Sequence, residues 1–341
     1  MKHLSRSTPL ALLVMLMIFS HAVLVAEPRS ILLMWWNVEN LFDTRDDPRT
    51  EDNEFTPQGQ LHWTEKKLLL KRIRIGHVFK AVRADRAFSK YPDIVAFAET
   101  ENREVFSSTL SAIDGIKYWT AYHESTDPRG IDIGLAWNPA AVSFTGSKPY
   151  TVPLGDRTTR QIIVAGFSIA SHPFNVVLNH WPSRSFDTAW TEPRRIEAAK
   201  VARHIVDSLR ARNPKADIIV MGDFNDDPQS VAMRDVLGSS LDRNMVLRQW
   251  NHLLYNCWND TDFRGSYAYN KQWERIDNIM VSAGLFDRSG LSIDKGSFRC
   301  FFFPHMLDPS GKKLYSTYEK GKYKGGYSDH LPLLLRVSIA D

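Results

Sequence analysis

Apolar residues in this chain fall into short, nearly continuous runs rather than long helical stripes. Runs at 31–36 (ILLMWW), 93–98 (DIVAFA), 131–137 (IDIGLAW), 161–169 (QIIVAGFSI), 174–179 (FNVVLN), 217–221 (DIIVM), 276–282 (IDNIMVS) and 331–337 (LPLLLRV) predict strands. Most do not alternate apolar with polar, which is the pattern of strands covered on both faces. Helical stretches lie between some of them. Thr64 can cap a helix running to about Ala84, and Pro193 can start one running to about Arg212. Segments 40–63 and 305–328 are polar and turn-rich and read as long loops, a length at which loops are often functional. With strands dominant and helices interspersed, the pattern predicts an α/β fold: two mixed β-sheets packed face to face and flanked by helices, a four-layer sandwich in one domain.

The first residues follow another pattern. Lys2, His3 and Arg6 precede an apolar run from Pro9 to Phe19, and small residues follow at Ser20, Ala22 and Ala26. That order is a secretory signal peptide over 1–26, leaving 27–341 as the folded domain and placing the protein in the periplasm or outside the cell. The competing reading is an uncleaved anchor, but the run is short against the roughly 20 residues a span needs. No other run could cross a membrane, so no stable span is expected once the signal is removed. Removal takes Lys2 and Arg6 and leaves 41 basic against 39 acidic residues, a formal charge of +2. Such a balance exerts no strong pull on nucleic acid, so composition does not choose a polyanionic substrate. Cys257 and Cys300 can form a disulfide in an oxidising compartment or can be two unrelated buried thiols.

Candidate chemistry lies where the apolar runs stop. Met34-Trp35-Trp36 runs into Asn37-Val38-Glu39-Asn40, Ile94 to Ala98 into Glu99, and Val176 to Leu178 into Asn179-His180. Ile218 to Met221 runs into Gly222-Asp223-Phe224-Asn225-Asp226, and Ser328-Asp329-His330 precedes the last run. A buried carboxylate is costly unless paired or bound to metal, so repeated acids, amides and imidazoles at strand ends point to one polar site at one rim of the sheets. Taken singly, each is more often a turn or cap residue. Oxygen donors without a Cys or His cluster favour Mg²⁺, Mn²⁺ or Ca²⁺ over Zn²⁺. Such a set can activate water, hold phosphate oxygens and stabilise a leaving oxygen.

The order WNVENLFD (36–43), AETEN (98–102), NHWPSR (179–184), GDFND (222–226), RIDNIMVS (275–282) and YSDHLP (327–332) resembles the endonuclease/exonuclease/phosphatase superfamily, over essentially the whole mature chain. The tighter likeness is to exported bacterial members. The resemblance implies a metal-dependent phosphate-ester hydrolase with Mg²⁺ or Mn²⁺ as cofactor. It implies Glu99 as principal metal ligand, Asn37 and Glu39 completing or backing that site, and Asp329 close to it. Asp223 resembles the residue that orients or deprotonates the attacking water, and Asn225 one that hydrogen-bonds a phosphate oxygen. His330 would contact the scissile phosphate, held by Asp277, and His180 would serve the phosphate or leaving group. The competing reading of Asp277 is a salt bridge with Arg275.

Arg129, Arg160 and Arg184 are candidate phosphate-binding cations, each equally readable as an ion pair holding a loop. Asp132, near Arg129 in PRGID, shares that ambiguity. The basic face of the first helix (Lys66, Lys67, Lys71, Arg72, Arg74) reads as solvated surface, and Trp35, Trp36 and Trp137 as core. The expected activity is phosphodiester hydrolysis in DNA or RNA by a monomer. The rivals are a phosphatase or phospholipase C-type esterase of the same superfamily and an inactive binding module. Specificity is expected in the loops 40–63, 123–130 and 305–328, which do not name the substrate.

Overall fold

The computed structural model describes residues 30–155, 159–184, 188–270, 272–311 and 313–339. The expected signal segment 1–26 lies outside the described residues. All eight expected strands form. The first, Ser30–Leu41, lies between the last strand, Leu333–Ile339, running antiparallel to it, and Ile94–Thr100, running parallel. The sheet continues through Asp132–Trp137 to Trp119–Tyr122 on one side and to Leu291–Ile293 on the other, with Arg299–Cys300 also paired to the last strand. The second sheet has the order Ser143–Tyr150, Ile162–Ile169, His172–His180, Ile218–Asp223, Asp277–Val281, Leu254–Asn256 and Ser239–Ser240.

Strand periodicity explains the continuous apolar runs. In the second sheet Ile219, Met221, Ile279 and Val281 join the core shared with Leu33, Trp35 and Leu335 of the first. Their neighbours Ile218, Val220 and Met280 point to the other face, where they pack on Ala198, Ala202, Ile205 and Val206 of the helix Thr188–Arg212. Successive side chains of a strand face opposite ways, so a strand in the middle of four layers is apolar at every position. The outer layer of the first sheet is the helix Glu65–Ala84, which buries Leu68, Ile75, Val78, Phe79 and Val82, together with Arg103–Ser111.

Departures from the expectation have local causes. The first strand runs on to Leu41 through a register irregularity between Asn37 and Leu41, so its polar end is strand and not loop. Ser143–Tyr150 was not foreseen: it is an edge strand, mostly solvated, paired on one side only, and therefore lacks an apolar run. The helix Thr188–Arg212 carries Pro193 inside it rather than at its start. Arg103–Ser111 is short but well capped, the Asn102 side chain accepting from the Val105 N–H at 2.8 Å. Cys257 and Cys300 are both buried and unbridged, so the disulfide reading gives way to that of two separate thiols.

The basic face of the first helix is only partly solvated. Lys71 is 1% exposed, and its ammonium donates to the Thr317 Oγ1 and, at 2.9 Å, to the Tyr327 carbonyl. Arg74 stacks on Tyr327, 4.8 Å from the ring centre. These contacts pin the 315–327 loop over the end of the first strand. Among the described residues no helix is long and apolar enough to cross a membrane.

Candidate active site

Two strand irregularities aim the first acidic groups. Pairing between the first strand and Ile94–Thr100 shifts after Asn37, and that between Ile94–Thr100 and Asp132–Trp137 shifts after Phe97. Glu39, Asn40 and Glu99 sit at these breaks with φ of 56°, 55° and 61°, a left-handed conformation uncommon outside glycine. A bulge re-aims a side chain that a regular strand would have pointed into the core. Asn225 shares the conformation, at φ 50°. Gly222 answers a steric demand instead. A Cβ there would lie 2.3 Å from the Asn179 carbonyl oxygen, so only glycine lets the two parallel strands bring His180 beside Asp223.

These strand ends surround a cavity of about 630 Å³. Every expected site residue except Asn37, Glu39 and Asp277 lines it. Asn37 lies just beneath: its amide donates to Glu99 Oε1 at 3.2 Å and to Asp223 Oδ2 at 3.1 Å, while its oxygen accepts from the Glu39 N–H at 3.0 Å. The Asn40 N–H fixes the other Glu99 oxygen at 3.0 Å. Glu39 turns away into the 315–327 loop and accepts from the Thr317 and Tyr318 N–H groups at 2.6 and 2.9 Å. It thus serves loop attachment rather than the pocket wall.

Asp223 occupies the centre. Its Oδ2 lies 3.9 Å from Nε2 of His180 and 3.9 Å from Nε2 of His330. Burial, then the Asp277 carboxylate, push Asp223 up to about 7. The two imidazoles diverge. Burial, then Arg160 and Arg129, hold His180 well below its ordinary range, so it is neutral, and its Nδ1 is buried without a hydrogen-bond partner. Burial also disfavours a His330 cation, but the Asp277 carboxylate overrides it and holds His330 well above the ordinary range. Two like groups driven to opposite protonation states by their surroundings are the signature of divided acid–base roles.

Asp277 is itself fully held. Its Oδ2 meets His330 Nδ1 at 2.7 Å and accepts from the Ser266 hydroxyl at 2.6 Å, and its Oδ1 accepts from the Trp35 indole at 2.9 Å. Arg275 does not pair with it: that guanidinium donates to the Phe263 carbonyl and lies over the Trp258 ring. The salt-bridge reading of Asp277 is therefore displaced. Trp35 and Ser266 are site-supporting residues that the sequence did not single out. A tryptophan inside an apolar run reads as packing, and a lone serine carries no signal.

The arginines form a cationic wall. Arg129 and Arg160 share one carboxylate, Asp127, each at 3.1 Å, and buried Arg160 also donates to the Trp181 carbonyl at 2.6 Å. Two guanidiniums against one carboxylate leave a surplus positive charge, and the Arg160 Nε is buried with no partner. Arg184 pairs with Glu274 across the cavity mouth. Asp132 plays no part in this wall, its carboxylate accepting from the Ser125 N–H. Asn225 donates to the Trp181 carbonyl at 3.1 Å and takes Asp223 Oδ1 on its backbone N–H.

The donor set fits a hard divalent cation. Asp329 is pushed up to about 6, mainly by burial and by Glu99 after the opposing pull of His330, and its Oδ1 is buried without a hydrogen-bond partner. Crowded carboxylates with an unused oxygen are what a Mg²⁺-like ion requires. Asp223, Asp277 and His330 also bring donor atoms within 4.8 Å of one another, but the Asp277 oxygens are already taken. Asp329 Oδ1 has no partner, and the oxygens of Glu99 and Asp223 each accept a single hydrogen bond, which leaves a lone pair on each for a cation.

Two mixed sheets with an acidic, imidazole- and arginine-lined pocket at one rim define a phosphate-ester hydrolase dependent on a divalent metal. The model of the Endonuclease/Exonuclease/phosphatase family matches residues 32–339, and the chain belongs to that family. Comparison with curated proteins by sequence returns no match. Among solved structures, TDP2 of D. rerio humanized by 14 mutations is 14% identical, covering 91% of this chain and 99% of its own, with a TM-score of 0.56. The D. rerio TDP2 complexed with single strand DNA product is 14% identical over 91% and 99%, at 0.53. The mannosyl-6-phosphatase Bt3783 of Bacteroides thetaiotaomicron is 13% identical over 90% and 99%, at 0.55. At such identities the likeness is one of fold.

Proposed function

We propose that the chain is an exported, monomeric phosphodiesterase, dependent on Mg²⁺ or Mn²⁺, that hydrolyses DNA or RNA. The observation that carries this reading is Asp223 Oδ2 set 3.9 Å from the Nε2 atoms of a neutral and a cationic histidine. A separation of 3.9 Å lets a single water or phosphate oxygen hydrogen-bond to Asp223 and to an imidazole at once.

Glu99 and Asp329 would hold a divalent cation, with the Asn37 amide against Glu99, and such an ion would supply positive charge to the phosphate oxygens. Asp223, raised to about 7, accepts the proton of the attacking water. His330, kept charged by Asp277, donates from Nε2 to a phosphate oxygen. His180 stands on the leaving-group side, and the Arg129–Asp127–Arg160 wall offsets the charge of the phosphate. Support for a nucleic-acid substrate comes from the D. rerio fold relative complexed with DNA product. A second reading is phosphomonoester hydrolysis, favoured by the surplus charge of the arginine wall, which suits a terminal dianion, and by the fold shared with a mannosyl-6-phosphatase.

A substrate panel separates the two. Single-stranded DNA, plasmid and RNA are incubated with the protein beside sugar phosphates, inositol phosphates and sphingomyelin. Strand cleavage faster than phosphate release supports the nuclease; phosphate release without cleavage replaces it with the phosphatase.

A further inference from the structure

The hairpin formed by Tyr267–Tyr269 and Gln272–Glu274 stands at the mouth of the catalytic pocket, and the proposed reaction leaves its role open. Its pairing places Tyr267 opposite Glu274, Ala268 opposite Trp273 and Tyr269 opposite Gln272. Side chains alternate across a strand, so Tyr267 and Tyr269 share one face and Ala268 with Trp273 the other. The second face is anchored in the protein: Trp273 packs edge-on against Phe263, at 6.2 Å between ring centres. The first face looks into the pocket, where Tyr267, Tyr269 and Glu274 all contribute to the wall.

The two tyrosines differ in use. Tyr267 lies against the His330 ring, 4.8 Å between centres, and is occupied in holding it. Tyr269 stands two residues further along the strand, roughly 6.5 Å away. It is 59% exposed and, among the described residues, is the strongly exposed aromatic ring that lines the pocket. The Arg184–Glu274 pair crosses the same mouth and ties the hairpin to the segment that carries His180. An aromatic ring borne on an anchored hairpin, left open to water and set one side chain beyond His330, has the form of a stacking platform.

We propose that Tyr269 stacks on the base of the nucleotide next to the scissile phosphate, which makes the preferred substrate a strand with an unpaired base at that position. The inference rests on the nucleic-acid reading of the same pocket. Every base has a π-face, so the platform selects for the presence of a base and not for its identity.

The test is a single-stranded oligonucleotide with one cleavable linkage, the rest blocked as methylphosphonates. Versions carry bases or abasic residues beside that linkage. Wild type should cleave the base-bearing strand with a kcat/KM on the order of tenfold higher than the abasic one. In Tyr269→Ala that preference should collapse to within about twofold, mainly through a rise in KM for the base-bearing strand, and Tyr269→Trp should restore it. An equal base preference in wild type and Tyr269→Ala overturns the platform while leaving the nuclease intact. Cleavage of neither oligonucleotide, with small phosphate esters still hydrolysed, overturns the nuclease reading and the platform with it.

Discussion

The Asp277 carboxylate lies 2.7 Å from His330 Nδ1 and is locked there by Trp35 and Ser266, one donor from the opposite sheet and one from the adjoining loop. A carboxylate so placed fixes the imidazole tautomer and keeps Nε2 as a donor facing the pocket.

In the proposed mechanism this pair sets the alkaline limit of the reaction. His330 has its folded pKa raised above the unfolded value near 6.5, so the stability it contributes is complete below about pH 6.5 and lost as pH rises through the folded value. Asp277→Asn should shift the alkaline limb of kcat/KM downward in pH and destabilise the fold by about 3 kcal/mol, as expected for breaking a buried pair. His330→Ala should lower kcat/KM by roughly 10²–10⁴. Profiles of both single mutants and the double should be non-additive. Independent, additive losses would mean that Asp277 does not serve His330.

In the proposed mechanism Glu99 and Asp329 would hold the metal. With Mg²⁺ at about 100 times its Kd, linkage adds about 2.7 kcal/mol to stability. Glu99→Gln relieves like-charge crowding, so its metal-free melting temperature should equal or exceed that of the wild type. The increment on adding Mg²⁺ should largely vanish and activity with it. A full Mg²⁺-induced shift in Glu99→Gln, followed by differential scanning fluorimetry, would remove Glu99 from the metal site.

Much of the site was legible because a mixed sheet delivers side chains at strand ends, and a sudden Glu99, Asp223 or His330 after an apolar run marks such an end. Asp277 opposite His330 followed from family likeness and not from spacing, 53 residues apart. What escaped depends on contacts remote in sequence. Lys71 read as one more surface cation in a basic helix, yet it falls on the stripe of Leu68, Ile75, Val78 and Val82 that faces the core, and that periodicity was available. Its partners, Thr317 and Tyr327, belong to a loop 246 and 256 residues away. The edge strand Ser143–Tyr150 has no apolar face to betray it.

Lys71 provides a separate expectation. Its ammonium is buried beside Glu39 and Asp329, and burial lowers its pKa while the carboxylates oppose the shift. Burial, then Asp329, raise Glu39 to about 7. Lys71→Met should therefore cost roughly 3 kcal/mol in chemical denaturation, because it strands buried carboxylates without their cation. Adding Glu39→Gln should recover part of the loss. A double mutant whose loss equals the sum of the singles would show that Lys71 acts through the 315–327 loop alone.

In the proposed mechanism Asp223 and the two histidines carry out phosphodiester hydrolysis in a pocket whose metal would be held chiefly by Glu99 and Asp329. Mg²⁺ affinity and oligonucleotide cleavage measured on the same preparation of Asp223→Asn test this assignment. Mg²⁺ affinity should stay within about tenfold of wild type, the range of a lost supporting contact, and cleavage should fall by roughly 10² or more. Undiminished cleavage by Asp223→Asn would contradict it.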